Sequence, residues 1–398
     1  MARKARFWIL ISSLATVALA AVLAHFLVSR NGVPVFSPLG TSRPGQEVRI
    51  GVVLPLTGEL GNFGKTVLNG ITLAVEEYSA VRPTLLVRLF SEDSQGKPAL
   101  AVAAFQKLVD IDGARVIIGE LTSSSTLAMN PIAQQRKVLL VSPTASNPKL
   151  SQAGKYFLRV WPSDSFDGMI AAEYCYRQLG LRSAAVICVN NDYGIGLKDV
   201  FVTRFNELGG RVIFTDSYLE QTTDFRTLLT KLRELKPAVL YIPGHPRGIA
   251  TILRQAKELG IKMTFFANVA AEDKEFLTLS AGVAGGLLFT APAFDIASRE
   301  ANVVEFVRRY KARFSDLPDV HAVKGYDAVS VVLRGIRVGK MSPDDLREFA
   351  GSQSAFHGVG GTFRFGRNGD VVTALSVKQY SGAGSVHILE NVSPASGQ

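Results

Sequence analysis

Two short stretches gather small hydroxyl side chains directly after apolar runs. "GELTSSST" (119–126) follows Ala114–Ile118, and "SPTASNP" (142–148) follows "KVLLV". Such residues suit the recognition of an anion. The first-turn N–H groups of a helix have no intrahelical acceptor, and with the helix dipole they attract negative charge. A small hydroxyl lets a carboxylate come close and adds a donor. If the two loops sit at neighbouring strand ends, Ser123, Thr144 and Ser146 make a carboxylate cradle. The same hydroxyls serve equally as helix caps, and at this point both readings stand.

Other chemistries find less support. "GNFGKT" has the look of a phosphate loop, but the glycine required five residues before Gly64 is Glu59, and Gly58 stands one residue too early. No Gly-x-Ser-x-Gly elbow occurs, and nothing local activates Ser123, although His245 or His321 could meet it in space. The five histidines (His25, His245, His321, His357 and His387) are widely spaced, with no Cys or His pair at metal-ligand spacing. We therefore expect no catalytic residue, no cofactor and no metal. The net charge is +10, yet there is no run of five basic residues and no aromatic–basic interleaving, so nucleic acid is not an expected partner. Cys175 and Cys188 can form at most one bridge; two buried free thiols are the expectation, with oxidation outside the cytoplasm as the other reading.

The elements that must position these loops follow from the pattern of apolar runs. With 398 residues, 47% hydrophobic and 20% charged, the chain exceeds one ordinary domain and predicts two lobes. Strand-like and helix-like segments alternate from Val48, and the alternation restarts after "RVWPSDS" (159–165). This order predicts two Rossmann-like α/β halves with parallel sheets. Helices are expected at 63–79, 166–179, 196–208, 224–235, 247–259, 301–314 and 326–338 among others, and "RNGD" (367–370) signals a hairpin. Ligands of such sheets bind beyond the carboxyl ends of the strands. That geometry selects seven loops: 55–64, 91–97, 120–125, 142–147, 190–196, 243–247 and 268–273.

Ahead of the lobes, Arg3, Lys4 and Arg6 precede an apolar run from Phe7 to Val28, long enough to cross a bilayer. We read residues 1–6 as a cytoplasmic head, 7–28 as a signal anchor, with a cleaved signal peptide as the alternative, and 29–46 as a Gly/Pro/Ser-rich linker. Everything after Val28 is then exported.

From about Val48 to Tyr380 the chain resembles the periplasmic substrate-binding proteins of branched-chain amino-acid ABC transporters, the type I Leu/Ile/Val-binding class. The resemblance rests on "IGVVLPLTGELGNFG", "VIIGELTSSST", "LLVSPTASNPKL", "RVWPSDSFDG", "NNDYGIG" and "ILRQAKELGI", in that order. It implies two lobes joined by three crossover strands: 47–163 with 293–371, and 164–292 with 372–390, followed by a tail at 391–398. It implies hinge closure over a ligand, with "RVWPSDS" in the hinge and Trp161 and Pro162 beside the cleft. By motif, Ser123 matches the serine that holds the ligand's carboxylate, and Thr144 and Ser146 match the next loop. Tyr193 matches an aromatic that covers the ligand, and Phe63 one that flanks the side-chain pocket; core packing is the plain alternative for both.

The departures bear on specificity. His245 and His321 stand at two positions that are aromatic in the family, and Ser94 and Thr122 replace its lobe-1 disulfide. Val269 replaces the acid that pairs with an amino group. A buried ammonium without its carboxylate costs several kcal/mol. Either another acid, among Asp164, Glu120, Glu272 and Asp327, takes that place, or the ligand lacks the amine. The expected function is an extracytoplasmic, non-catalytic binding protein for a small carboxylate, serving ABC permease subunits and anchored to the membrane by its N-terminal helix. A ligand-sensing ectodomain on the same fold is the rival reading.

Overall fold

The computed structural model describes residues 47–82, 85–280, 282–382 and 385–394. The expected head, membrane anchor and linker, and residues 395–398 of the expected tail, lie outside the described residues. Among the described residues no helix is long and apolar enough to cross a membrane.

The first sheet is built from β1 (Glu47–Leu54), α1 (Gly61–Val81), β2 (Leu86–Asp93), α2 (Pro98–Asp110), β3 (Val116–Gly119), α3 (Ser123–Arg136), β4 (Leu139–Ser142) and β5 (Phe157–Arg159). Its order is β2-β1-β3-β4-β5 with every pair parallel. β3 and β4 are buried at every position. That burial explains their unbroken apolar runs, since parallel strands are covered on both faces. β1 and β3 are adjacent while β2 lies outside β1, so the strand order reverses there. The loops after β1 and β3 thus flank the crevice that such a reversal leaves.

The second sheet takes up α4 (Asp164–Glu173), β6 (Ser183–Val189), α5 (Asp192–Glu207), β7 (Arg211–Tyr218), α6 (Arg226–Leu235), β8 (Val239–Ile242), α7 (Pro246–Glu258), β9 (Thr264–Ala267), α8 (Lys274–Leu279) and β10 (Leu288–Pro292). The chain then passes through α9 (Ala301–Phe314), α10 (Val320–Arg337), α11 (Pro343–Ser352) and a small antiparallel sheet of β11 (Phe356–Gly358), β12 (Gly361–Phe365) and β13 (Val371–Val372). Phe356, Phe363, Phe365 and Val371 pack with Ile50, Val116 and Leu139 of the first sheet. The chain finally returns to the second sheet as β14 (Leu375–Tyr380) and β15 (Val386–Val392), giving the order β15-β14-β10-β9-β8-β6-β7. The backbone therefore crosses between the two sheets after β5, after β10 and after β13. This is a two-lobe α/β fold.

Several helices start earlier than their apolar pattern predicts, because a capping side chain fixes the first turn ahead of the periodic stretch. Asn191 accepts from the Gly194 amide at 3.0 Å and starts α5 at Asp192 instead of residue 196. Asp319 accepts from the Ala322 amide at 2.9 Å and starts α10 at Val320 instead of residue 326. The second of these places His321 in the first turn of a helix. α4 continues through a π-turn at Tyr174–Gln178. Cys175 and Cys188 are free and buried, and burial pushes both thiols up, Cys188 to about 11.

α1 and α10 lie together in the first-lobe core and carry Phe63 and His321 at their N-terminal ends. Their close approach depends on two glycines. A Cβ at Gly70 would stand 1.9 Å from the carbonyl oxygen of Ala322, and one at Gly325 2.3 Å from that of Val67. Gly70→Ala must push the helices apart, at a cost of about 1–3 kcal/mol, and should lower the melting temperature of the full chain by several degrees. An unchanged melting temperature would mean that this contact is not tight.

Candidate functional site

α3 begins where β3 ends, and its first turn divides its amides in an uneven way. The Thr122 N–H donates to the Glu120 carboxylate at 2.6 Å, and the Ser125 N–H to the Thr122 hydroxyl at 3.3 Å. Thr122 is thus the cap. The N–H groups of Ser123 and Ser124 have no acceptor among the described residues. Both residues line a cavity of about 90 Å³, space for on the order of six to nine waters. With the helix dipole behind them, two free amides here are chemically suited to receive an anion.

The second hydroxyl loop is locked to the first. The Ser123 hydroxyl oxygen accepts from the amides of Ser146 and Asn147 at 3.3 and 3.2 Å, and the Thr144 hydroxyl donates to the Leu121 carbonyl at 2.8 Å. The Ser142 hydroxyl donates to the Glu120 carbonyl at 2.9 Å. The Thr144 hydroxyl is therefore a tie between loops. Beneath them lies Arg159, fully buried, which donates to Asp370 at 2.7 Å, to the Asn147 carbonyl at 3.0 Å and to Ser151 at 2.7 Å.

Aromatic rings form the sides. His321 meets Phe63 edge-on at 4.8 Å and stacks on Trp161 at 5.5 Å. From the other lobe, Tyr193 and His245 stack at 6.1 Å. Asn191, the cap of α5, donates to Glu220 at 2.9 Å and lies 3.3 Å from His245 Nε2, which is 3.4 Å from Glu220. The hydrogen bond from His245, with that of Asn191, holds the Glu220 carboxyl below its usual range against the effect of burial. Glu220 comes from the loop after β7, for which the sequence offers no signal.

Seven of the eight sequence-derived candidates, Phe63, Ser123, Thr144, Ser146, Tyr193, His245 and His321, border this one cavity, together with Trp161 and Val269. Six of the seven expected loops contribute; the loop at 91–97 does not, though its Ser94 donates to Glu120 behind α3. Asp164 is the exception. It is buried behind Ser146, whose carbonyl accepts from its amide at 2.8 Å, and it does not itself line the cavity.

None of the acids suggested as stand-ins for the residue at Val269 lines the cavity, and no Asp, Glu, Lys or Arg does so. Glu120 is enclosed by Ser94 and Thr122. Glu272 pairs with Lys378 at 2.6 Å. Asp327 accepts from the Val359 and Gly360 amides at 2.9 and 3.0 Å.

Behind Tyr193, the buried groups Asp164, Asp167, Tyr241, Asn268 and Thr290 each keep a side-chain atom without a hydrogen-bond partner. Burial raises Asp164 well above the carboxylate range, helped by the charge of Asp167, and raises Asp167 to about 6. An unfolded aspartate titrates near 4. The folded state therefore keeps the Asp167 proton to higher pH than the unfolded chain, and stability falls as pH rises from about 4 to about 6 and then levels off. Asp167→Asn should match the parent near pH 4 and gain up to about 3 kcal/mol over it at pH 7. Urea unfolding across this range measures the difference; a gap that does not vary with pH would contradict the assignment.

Residues 47–385 match the family model described as "Periplasmic binding protein". A Leu/Ile/Val-binding protein of Rhizobium johnstonii is 28% identical over 314 residues, 78% of this chain and 83% of that protein. The crystal structure of a leucine-binding protein, LivK, from Thermotoga maritima superposes with a TM-score of 0.80 at 32% identity, covering 87% of this chain and 99% of that one. A solute-binding protein of an ABC transporter from Rhodopseudomonas palustris, in complex with 3,4-dihydroxybenzoic acid, has the same fold, with a TM-score of 0.78 at 20% identity over 87% and 97% of the two chains. On these matches the chain belongs to the periplasmic binding protein family, and its relatives include Leu/Ile/Val-binding proteins.

Proposed function

We propose that the chain is the solute-binding component of an ABC importer and holds a small carboxylate between its lobes. The observation that carries this reading is the pair of unpaired amides of Ser123 and Ser124, which open with the Ser123 hydroxyl into a cavity walled by both lobes. Ser146 flanks the carboxylate. Phe63, Trp161 and His321 from one side and Tyr193 and His245 from the other enclose the rest of the ligand, and Asp164 supports the Ser146 loop from behind. The lobes are 47–163 with 293–371 and 164–292 with 372–390. The protein works on the extracytoplasmic face, held by residues 7–28, and hands its ligand to permease subunits in the membrane. Binding proteins among its relatives support the transport role over the sensing one.

The lobes close by hinge motion. Asn147 of the first lobe donates to the Asp192 carbonyl of the second at 2.5 Å, and Lys149 lies 3.7 Å from the Asp192 carboxylate. Gly196 fits against this contact, since a Cβ there would stand 2.8 Å from Asn147 Nδ2 and 3.0 Å from Pro148 Cδ. These contacts latch the closed form.

Two substitutions test the proposal. Ser123 is the first helical residue and follows an extended Thr122, a place where proline is tolerated. Ser123→Pro deletes both the amide donor and the hydroxyl, while Ser123→Ala deletes only the hydroxyl. A hydrogen bond to a charged group contributes about 1.5–3 kcal/mol. The alanine variant should therefore bind the ligand found by mass spectrometry of co-purifying molecules roughly 10- to 100-fold more weakly, and the proline variant more weakly still. Equal affinity in all three proteins would remove the cradle. Gly196→Leu should wedge the lobes apart, enlarge the radius of gyration of the ligand-bound protein in small-angle scattering and weaken binding at unchanged melting temperature. Unchanged scattering and affinity would remove the latch.

A further inference from the structure

We infer that the ligand is an aromatic monocarboxylate without an α-ammonium group; this rests on the carboxylate reading above and narrows it to a substrate class. Three observations carry it. The first is the charge of the wall. A cavity that closes over an α-amino acid must offer the ammonium a carboxylate, because an unpaired buried charge is strongly unfavourable. Here Val269, 8% exposed, borders the cavity, and each of the four acids that might replace its function is committed elsewhere or lies behind the wall.

The second is that the anion end is complete without it. Two amides, a hydroxyl and a helix dipole are enough to hold one carboxylate, and nothing else in the lining calls for a formal charge on the ligand. The third is the shape and chemistry of the sides. Phe63, His321 and Trp161 make one continuous run of rings from the first lobe and the hinge, and Tyr193 with His245 makes a second run from the other lobe. A planar ring between two ring walls gains offset-stacked and edge contacts that a branched aliphatic chain cannot make. His245 and the Asn191–Glu220 pair behind it supply polar partners, so a hydroxyl on the ligand ring is accommodated.

The test separates ring from amine. The full chain is titrated calorimetrically at pH 7.5 with benzoate, 4-hydroxybenzoate, 4-methylpentanoate (the leucine skeleton without its amine), L-phenylalanine and L-leucine. The two benzoates should bind tightest, 4-methylpentanoate roughly tenfold more weakly, and both amino acids at least about 100-fold more weakly. Val269→Glu should reverse the order, gaining L-phenylalanine or L-leucine affinity and losing benzoate by tenfold or more; should that variant not fold, the parent titrations decide alone. L-Leucine binding as tightly as benzoate, and weakened by Ser123→Pro, would overturn the inference and leave the carboxylate reading standing. 4-Methylpentanoate equal to benzoate would overturn the aromatic part. Binding by none of the five, or binding indifferent to Ser123→Pro, would overturn both.

Discussion

The structure turns on the positive end of one helix. The four N–H groups that open α3 cannot all be satisfied from within, and the surrounding residues settle two of them and leave two. Glu120 takes the Thr122 amide and the Thr122 hydroxyl takes that of Ser125, so the unpaired amides are those of Ser123 and Ser124, facing the cavity. An anionic Glu120 beside the same helix end would compete with a bound carboxylate for the dipole. Burial, however, pushes the Glu120 carboxyl above its usual range against the hydrogen bonds from Ser94 and Thr122.

Holding the cradle in shape falls to Arg159. Its guanidinium is wholly enclosed and reaches Asp370 in the turn between β12 and β13, the Asn147 carbonyl and Ser151. A buried charge of this kind is tolerated only when paired and saturated with hydrogen bonds, so the three partners are fixed together. One consequence is mechanical. Asn147 is held at its carbonyl by the first lobe while its side chain reaches Asp192 of the second. Its amide also donates to the Ser123 hydroxyl. A single residue thus joins the start of α3, the first-lobe scaffold and the inter-lobe contact.

How much of this was legible in the sequence depended on whether the signal was periodic or directional. The alternation of apolar runs located the strands, and the rule that ligands sit at strand ends selected seven loops, six of which border the cavity. The hairpin at "RNGD" came from turn chemistry, and Gly369 there has the positive φ that the turn requires. Directional facts were out of reach. Asp164 opens α4 directly after the link from β5, and its carboxyl lies behind Ser146 near Arg159, while that of Asp167 faces Thr290, so neither lines the cavity. Thr144 was legible as a hydroxyl at the right loop, yet its proton is used by Leu121. The partnership of His245 with Glu220 joins residues of two different loops, and no local pattern announces it.

The places where the chain departs from the pattern of the family it resembles are coupled. Ser94 and Thr122 stand where the family resemblance puts a disulfide, and in this chain both hydroxyls donate to Glu120. The carboxylate therefore spans the end of β2 and the start of α3 as a non-covalent clamp, bridging the segments that the cross-link would join. Such a clamp must be dry and fully hydrogen-bonded to stabilise anything, and Glu120 meets both conditions at 0% exposure. A group committed in this way cannot also swing into the cavity to meet an ammonium. Glu272 is bound to the buried Lys378, and Asp327 to two backbone amides and the neighbourhood of Lys324, so they are unavailable for the same reason. The absence of negative charge from the cavity wall is thus a result of how the fold spends its buried acids, and it reaches further than the single valine at position 269.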